Sequence, residues 1–426
     1  MSDLRPRDEL RSRSELRARD GRPTQTGVAR HGRLRRANPF PTIAKFLAAA
    51  LAVLVVSGGS VGAIAFNSLY SKVDTVDLIQ PTEGPLPQIG AIEGGFNILI
   101  VGSDTRLDQG GIGGSFADES ASLNDVNMLL HVSQDQTNAV AISFPRDMVV
   151  PIPECPYQDG SGDTKGYSTE ALNVALSYGG LPCVALTVAD FSGLPIQFAG
   201  LITFQGVIAM SDAIGGVPVC TDGPMVDPNT GIDLPKAGTY SLKGADALAF
   251  LRSRQAVGDG SDLTRISSQQ VFLSSLVRVL KSSNTLGDFK KVYSLANVAI
   301  GNMKLSSSLA SVNTMASIAL ALKNIPMERV TFVQYPGSTG QTDGLYAGKV
   351  KPNKDLGDKL MALVAADQPF TLDGAGDGSG SEPDPNAVAP SADPSAAPVD
   401  DSALPKLSGV RGQTAADQTC TISNNY

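Results

Sequence analysis

Arginines and carboxylates recur at the places where strands and helices are expected to end. Asp104 and Arg106 follow the apolar run 96–102, Asp125 precedes the run 128–132, and Arg146-Asp147 follows the run 139–144. Further along, Arg252 and Arg254 close an apolar helical stretch, and Asp262, Arg265 and Gln269 lie on the next one. Guanidinium forks match phosphate oxygens two at a time. Carboxylates beside them suit Mg2+ or Mn2+ bridging phosphate oxygens. Together they suggest a site for a pyrophosphate and its metal. Taken singly, each residue fits a surface ion pair or a helix cap equally well. Their joint placement at strand ends, where open α/β sheets bind ligands, is what points to a site.

The spacing adds detail. On a helix Arg252 and Arg254 would diverge by about 200°, whereas on extended chain they share a face. The helix is therefore expected to end near Leu251, with both guanidiniums aimed the same way. Arg265 and Gln269 stand four apart and share a helix face, and Asp262 is placed to cap that helix. Short apolar runs predict strands over 96–102, 128–132, 139–144, 196–203 and 329–334. Helices are expected over 184–191, 204–214, 244–251, 266–282 and 309–322. Another is expected over 168–178, capped by Ser168 or Thr169 and stopped by Gly179-Gly180. Alternating strands and helices give an α/β class, with a sheet covered by helices on both faces.

The 426 residues are 42% hydrophobic and 18% charged, with a net charge of −8. The mean hides a split. Residues 1–42 hold 11 Arg against 5 acidic side chains, and the other 384 hold 23 basic and 37 acidic ones. From 46 to 66 there are 21 residues without a charge, and about 20 apolar residues span a bilayer. A single transmembrane helix over 43–66 is expected, with the basic tail cytoplasmic by the positive-inside rule. Residues 67–91 read as a linker and 92–370 as one extracytoplasmic α/β domain. The Pro/Ala/Asp-rich stretch 371–406 reads as disordered, leaving 407–426 as a short tail. Once the span is placed, the basic start needs no nucleic acid, and an acidic exported domain is a poor partner for one.

Other chemistries fall away. Cys155, Cys183, Cys220 and Cys420 are too far apart for a four-cysteine zinc module. On the exported side they suit disulfides. Cys155 with Cys183 is the first pairing, and Cys220 with Cys420 would tie the tail back, although four cysteines allow three connectivities. With His31 and His131 alone, a His-rich metal site is impossible, and His131, on an alternating strand, reads as packed or surface-facing rather than as part of a Ser-His-Asp set. The glycines at 58–62 match a nucleophile-elbow spacing but lie inside the expected span. Those at 110–114 fit no phosphate-loop spacing and read as a flexible loop.

NILIVGSDTR, NDVNMLLHV, ISFPRDMVVPIP, LNVALSYGG, SDAIGGVPV, LKGADALAFLRSR and DLTRISSQQ occur in this order between 96 and 270. This sequence of motifs resembles the LytR-CpsA-Psr family, and GQTAADQTC near the end resembles the tail of actinobacterial members. The resemblance implies an α/β/α sandwich with a mixed sheet and an apolar lipid groove. It implies a membrane-anchored phosphotransferase that moves a glycopolymer from a polyprenyl-pyrophosphate carrier to peptidoglycan in cell-wall assembly. Asp104 and Asp125 then match the metal ligands, and Arg146, Arg252, Arg254 and Arg265 match the pyrophosphate-binding arginines. Gln269 matches a polar neighbour, Arg106 is a further substrate contact, and Asp147 or Asp104 is a candidate base. Leu123 departs from the pattern, which often has Arg there. Phe198, Leu201, Phe204, Val207, Ile208, Phe250, Phe272 and Leu276 are candidates to line the groove. The runner-up reading is a non-catalytic envelope protein that binds polyprenyl-phosphate glycans or peptidoglycan.

Overall fold

The protein is described by a computed structural model covering residues 75–79, 94–103, 123–157, 162, 168–282, 285–286, 288–387 and 402–424, with scattered positions between 40 and 57. It divides into two units, Met1–Ala65 and Phe66–Tyr426. In the first, the described positions are helical, and Phe46, Val53 and Val56 are exposed. The rest of the basic tail and of the expected span lies outside the described residues. In the second unit, Leu172–Ser192 is long and apolar enough to cross a bilayer. It is mostly buried, however, as a core helix is.

Eight strands form the main sheet: β1 (Thr75–Val76), β2 (Phe96–Ser103), β3 (Asn124–Val132), β4 (Ala139–Ser143), β5 (Phe198–Ile202), β6 (Met303–Ser306), β7 (Val330–Gln334) and β8 (Gly412–Thr414). Their spatial order is β1-β6-β5-β2-β3-β4-β7-β8. Parallel and antiparallel neighbours mix: β2 runs parallel to β5 and antiparallel to β3, and β4 runs parallel to β7. Alternation along the strands sends side chains to two cores. Leu99, Val101, Leu129, Val140 and Ile142 face helices α1 (Ala175–Ser192) and α7 (Lys354–Ala365). Phe96, Ile98, Val132, Ala141 and Phe332 face α5 (Phe289–Asn302) and α6 (Val312–Lys323). The expected α/β/α sandwich results. A third core joins α3 (Gly244–Arg252) and α4 (Asp262–Ser282) to a four-stranded sheet containing Val217–Thr221 and Gly238–Leu242. Helix α2 (Phe204–Ile214) starts at Thr203, whose side chain accepts from the Gly206 N–H.

Two expectations are corrected. The helix over 168–178 begins as a strand, because Ser168–Ala171 pairs with Val149–Ile152. Gly179-Gly180 breaks the helix without stopping it, and α1 runs on to Ser192. A Cβ at 179 would come within 2.8 Å of the Cys183 Cβ and 3.0 Å of the Cys155 Cβ, so glycine makes room for the disulfide joining these two cysteines. The stretch 371–406, expected to be disordered, is ordered at both ends: Thr371 bridges to Lys406, and Ser381–Pro383 pairs with Thr419–Thr421. Asp377 gathers the N–H groups of Ser379, Gly380 and Ser381 at 2.7–3.0 Å. Backbone pairing and this carboxylate hold a segment with few apolar side chains. Residues 388–401 lie outside the described residues. The tail is part of the domain too: β8 edges the main sheet, and Cys420 lies opposite Cys220 and is bonded to it.

Candidate active site

The site is built where the carboxyl end of β2, the start of β3 and the loop after β4 meet the N-terminus of α4. Asn124 fixes the start of β3. Its amide donates to Asn127 and to the Leu172 carbonyl, and its oxygen accepts from the Leu176 N–H. The β2–β3 register then slips: Gly102 pairs with Val126 but Ser103 pairs with Asn124, so Asp125 is the extra residue of a bulge. Bulges re-aim side chains and are common beside active sites.

Asp125 receives Arg146 in an ion pair. Arg146 Nε lies 3.4 Å from Asp147 and 3.5 Å from Asp262. Arg265, only 3% exposed, reaches Asp262 at 2.7 Å and donates to the Asp125 carbonyl at 2.8 Å. Arg254 stands 3.7 Å from the same Asp262 oxygen. Asp262 is therefore the carboxylate around which three arginines gather, not the expected cap. That role falls to Ser261, whose hydroxyl accepts from the Thr264 N–H. The spacing of Asp262 and Arg265, three apart on a helix, was a signal of this pairing. Lys349, which no motif singles out, lies 3.6 Å from Asp147.

The charges respond to this crowding. Burial lowers the pKa of Arg146, but Asp125, Asp262 and Asp147 outweigh it and the net shift is upward. Arg254 is shifted down, first by burial and then by its neighbours Arg265 and Arg146. Arg146 Nε, Arg265 Nε and both Asp262 oxygens are buried without a well-directed hydrogen bond. The arginines are thus held together by ion pairs that leave donors unused.

This cluster opens onto an apolar cavity of about 400 Å³. Asp125, Arg252, Arg265 and Gln269 form its polar rim, and Ile100, Met128, Val207, Met210, Leu248 and Leu276 are among its walls. Gln269 is anchored by donating to the Leu251 carbonyl at 2.9 Å. Helix α3 ends at Arg252 and Ser253 is extended. The two arginines nevertheless part: Arg252 lies over the Phe204 ring, 4.2 Å from its centroid, while Arg254 turns to Asp262. Ring and guanidinium attract there, which the spacing could not reveal. Of the expected lining, Phe204, Val207, Phe272 and Leu276 face the cavity. Phe198 and Phe250 are buried in the second and third cores instead, Leu201 packs on the first, and Ile208 lies off the lining. Asp104 and Arg106 lie outside the described residues, directly beyond the end of β2.

His131 sits at the far end of β3, away from this cluster. Its ring nitrogens lie 2.8 Å from Asn97 Oδ1 and 3.0 Å from Asp367 Oδ1.

Comparison with known proteins bears on the same region. "Cell wall biosynthesis protein LcpA" of Corynebacterium glutamicum is 28% identical over 61% of this chain and 53% of its own length. The chain thus spans about half of that relative. A Bacillus subtilis protein named "Polyisoprenyl-teichoic acid–peptidoglycan teichoic acid transferase TagT" is 26% identical over 76% of this chain and 95% of its own length. The crystal structure of B. subtilis TagV superposes with a TM-score of 0.51 at 20% identity, covering 65% of this chain and 97% of that one, which shows a shared fold. The family model described as "LytR_cpsA_psr family" matches residues 68–359, most of the chain, and the protein belongs to that family.

Proposed function

We propose that this protein is a membrane-anchored phosphotransferase that moves a glycopolymer from a polyprenyl-pyrophosphate carrier to a hydroxyl of peptidoglycan. The observation that carries the reading is the pairing of two environments. A cluster of arginines with unused buried donors lies on the lip of an apolar cavity. A polyprenyl pyrophosphate has the matching halves, a doubly charged anion on a hydrocarbon chain. The names of LcpA and TagT support the same reading. The uncharged stretch 46–66 and its exposed Phe46, Val53 and Val56 support a single membrane anchor, and the two disulfides support an extracytoplasmic domain.

In this reading the prenyl chain enters the cavity and the pyrophosphate lies against Arg146, Arg252, Arg254 and Arg265. The acceptor oxygen attacks the phosphorus that carries the glycan. The bond from that phosphorus to the bridging oxygen breaks, and polyprenyl phosphate leaves with the electron pair. The acceptor proton passes to a carboxylate, for which the reading takes Asp147, the neighbour of Arg146 and Lys349. Such transfers rely on positioning and charge stabilisation. The arginines neutralise charge as it grows on the leaving phosphate. What supports a hard cation is the chemistry of the donors: Asp125 is a carboxylate lining the cavity, and Asp104, outside the described residues, follows Ser103 in the sequence. One or two carboxylates plus phosphate oxygens suffice for Mg2+. Asp104 and Asp125 would hold Mg2+ or Mn2+, which supplies further charge neutralisation at the phosphates.

The test is transfer of labelled glycan from a carrier to an acceptor glycan, followed as phosphodiester product. Arg146→Ala and Arg252→Ala should each lower turnover roughly 10²–10³-fold, and chelation should inhibit. Full turnover in both variants would overturn the assignment, and tight carrier binding without product would leave a receptor instead.

A further inference from the structure

A second cavity, of about 330 Å³, shares no lining residue with the apolar one. Leu263, Gln334, Ser338, Thr339, Asn353 and Arg411 are among its walls. Three links tie it to the arginine cluster. Gln334 ends β7 opposite Ser143 of β4, the strand that leads into Arg146 and Asp147. Leu263 directly follows Asp262 on α4. The hairpin pairing Gly337–Ser338 with Lys351–Pro352 also carries Lys349, 3.6 Å from Asp147. The cavity therefore stands at the carboxyl end of the neighbouring strand, where α/β sheets take ligands.

Its chemistry is unlike that of the first cavity. Gln334 lines the second cavity from the end of β7 and brings a side-chain amide to its wall. Asn353 accepts from the Leu356 N–H with its oxygen, which leaves its amide protons available. Ser338 and Thr339 bring hydroxyls to the exposed rim. Amides and hydroxyls, with the single guanidinium of Arg411 near Asp377 at 3.8 Å, around a volume at the small end of ligand pockets suit one sugar ring with its hydroxyl and acetamido groups.

We infer that this cavity is the acceptor subsite, which seats a pyranose unit of the receiving glycan and presents its neighbour's hydroxyl to Asp147. The inference rests on the phosphotransfer reading and adds where the second substrate binds. The apolar cavity takes the donor's lipid, the polar one takes the acceptor, and Arg146 and Asp147 lie between.

The experiment uses the full chain in lipid nanodiscs, a polyprenyl-pyrophosphate glycan as donor and a β-1,4-linked N-acetylhexosamine oligosaccharide as acceptor. Thr339→Trp fills the cavity from an exposed rim position, and Gln334→Leu removes the buried amide. Both should raise the KM for acceptor by at least about tenfold while donor affinity stays within about twofold. An unchanged acceptor KM in Thr339→Trp, with wild type active, overturns the assignment, as does an equal loss of donor affinity. If wild type forms no phosphodiester with this acceptor, the phosphotransfer reading fails. Direct titration with the oligosaccharide then decides the cavity: binding abolished by Thr339→Trp supports it, and binding unchanged overturns it.

Discussion

A cluster of polar side chains lies at each end of strand β3, and the two clusters are treated differently. At one end His131 is matched by Asn97 and Asp367. Asn97 in turn donates to the Pro195 carbonyl at 2.7 Å, and Asn138 donates to the Asp367 carbonyl at 3.2 Å. At the other end Arg146, Arg254 and Arg265 crowd around Asp262, and Arg146 Nε, Arg265 Nε and the Asp262 oxygens are left without well-directed hydrogen bonds. Buried polar groups in folded proteins are normally hydrogen-bonded, and exceptions call for a reason. A closed network holds chain segments together. An open one, with three guanidiniums around one carboxylate, has donors to spare, as the proposed anion site requires.

The sharpest way to break this contrast is to remove its most buried cation. Arg265 bridges Asp262 and the Asp125 backbone. Arg265→Ala leaves the Asp262 carboxylate buried with only weaker partners, and breaking a buried pair from one side costs about 3–5 kcal/mol. Urea unfolding should show a loss of that size together with abolished transfer. A variant as stable as wild type would mean that Arg265 is not part of the frame. Arg254 should behave in the opposite way. Burial, then Arg265 and Arg146, already disfavour its charge. Arg254→Met relieves that crowding, so stability should stay within about 0.5 kcal/mol or rise. Transfer should fall roughly 10²-fold. An Arg254→Met protein that unfolds easily would show that the cluster is structural throughout.

A smaller effect is expected in the apolar cavity. Val207 lines it from α2, and Val207→Trp would fill part of the space proposed for the prenyl chain. Carrier affinity should fall about tenfold, while a soluble pyrophosphate lacking the prenyl chain should bind as before. Equal weakening of both would argue that the cavity does not hold the lipid.

Much of this was legible in the residues, and the rest was hidden for physical reasons. The runs at 96–102 and 139–144 are apolar and short, and they form the central strands β2 and β4. Arg146, Arg265 and Asp125 were recognisable because strand ends and helix starts can be located from such runs. Asp262 was misread because a helix-start aspartate looks the same whether it faces its own backbone or three guanidiniums. The bulge at Asp125 leaves no mark in composition, since one extra residue changes register and nothing else. The groove was half legible: Phe198 and Phe250 have the right chemistry, but whether an apolar side chain fills a core or faces a cavity depends on what packs opposite. The 371–406 stretch misled because its order comes from backbone pairing and Asp377, which hydrophobicity does not register.

The smallest effect tests the closed end. Burial lowers the pKa of His131 from its ordinary 6.5, and the hydrogen bond and charge of Asp367, which pull the other way, do not fully offset it. In the unfolded chain the imidazole regains its ordinary affinity, so below about pH 6.5 the unfolded state binds more protons than the folded one. Stability then rises with pH across that window. The contribution of His131 is complete above the unfolded value and is lost as pH falls through the folded one. Thermal unfolding between pH 7 and 5 should therefore show a midpoint that drops in wild type and drops less in His131→Gln. Parallel slopes in the two proteins would remove His131 as the cause. Transfer at pH 7 should differ by less than about twofold between them, a change within what distant, independent sites show. A large loss of transfer in His131→Gln would mean that β3 couples its two ends, and that the closed network positions Asp125 as well as holding the fold.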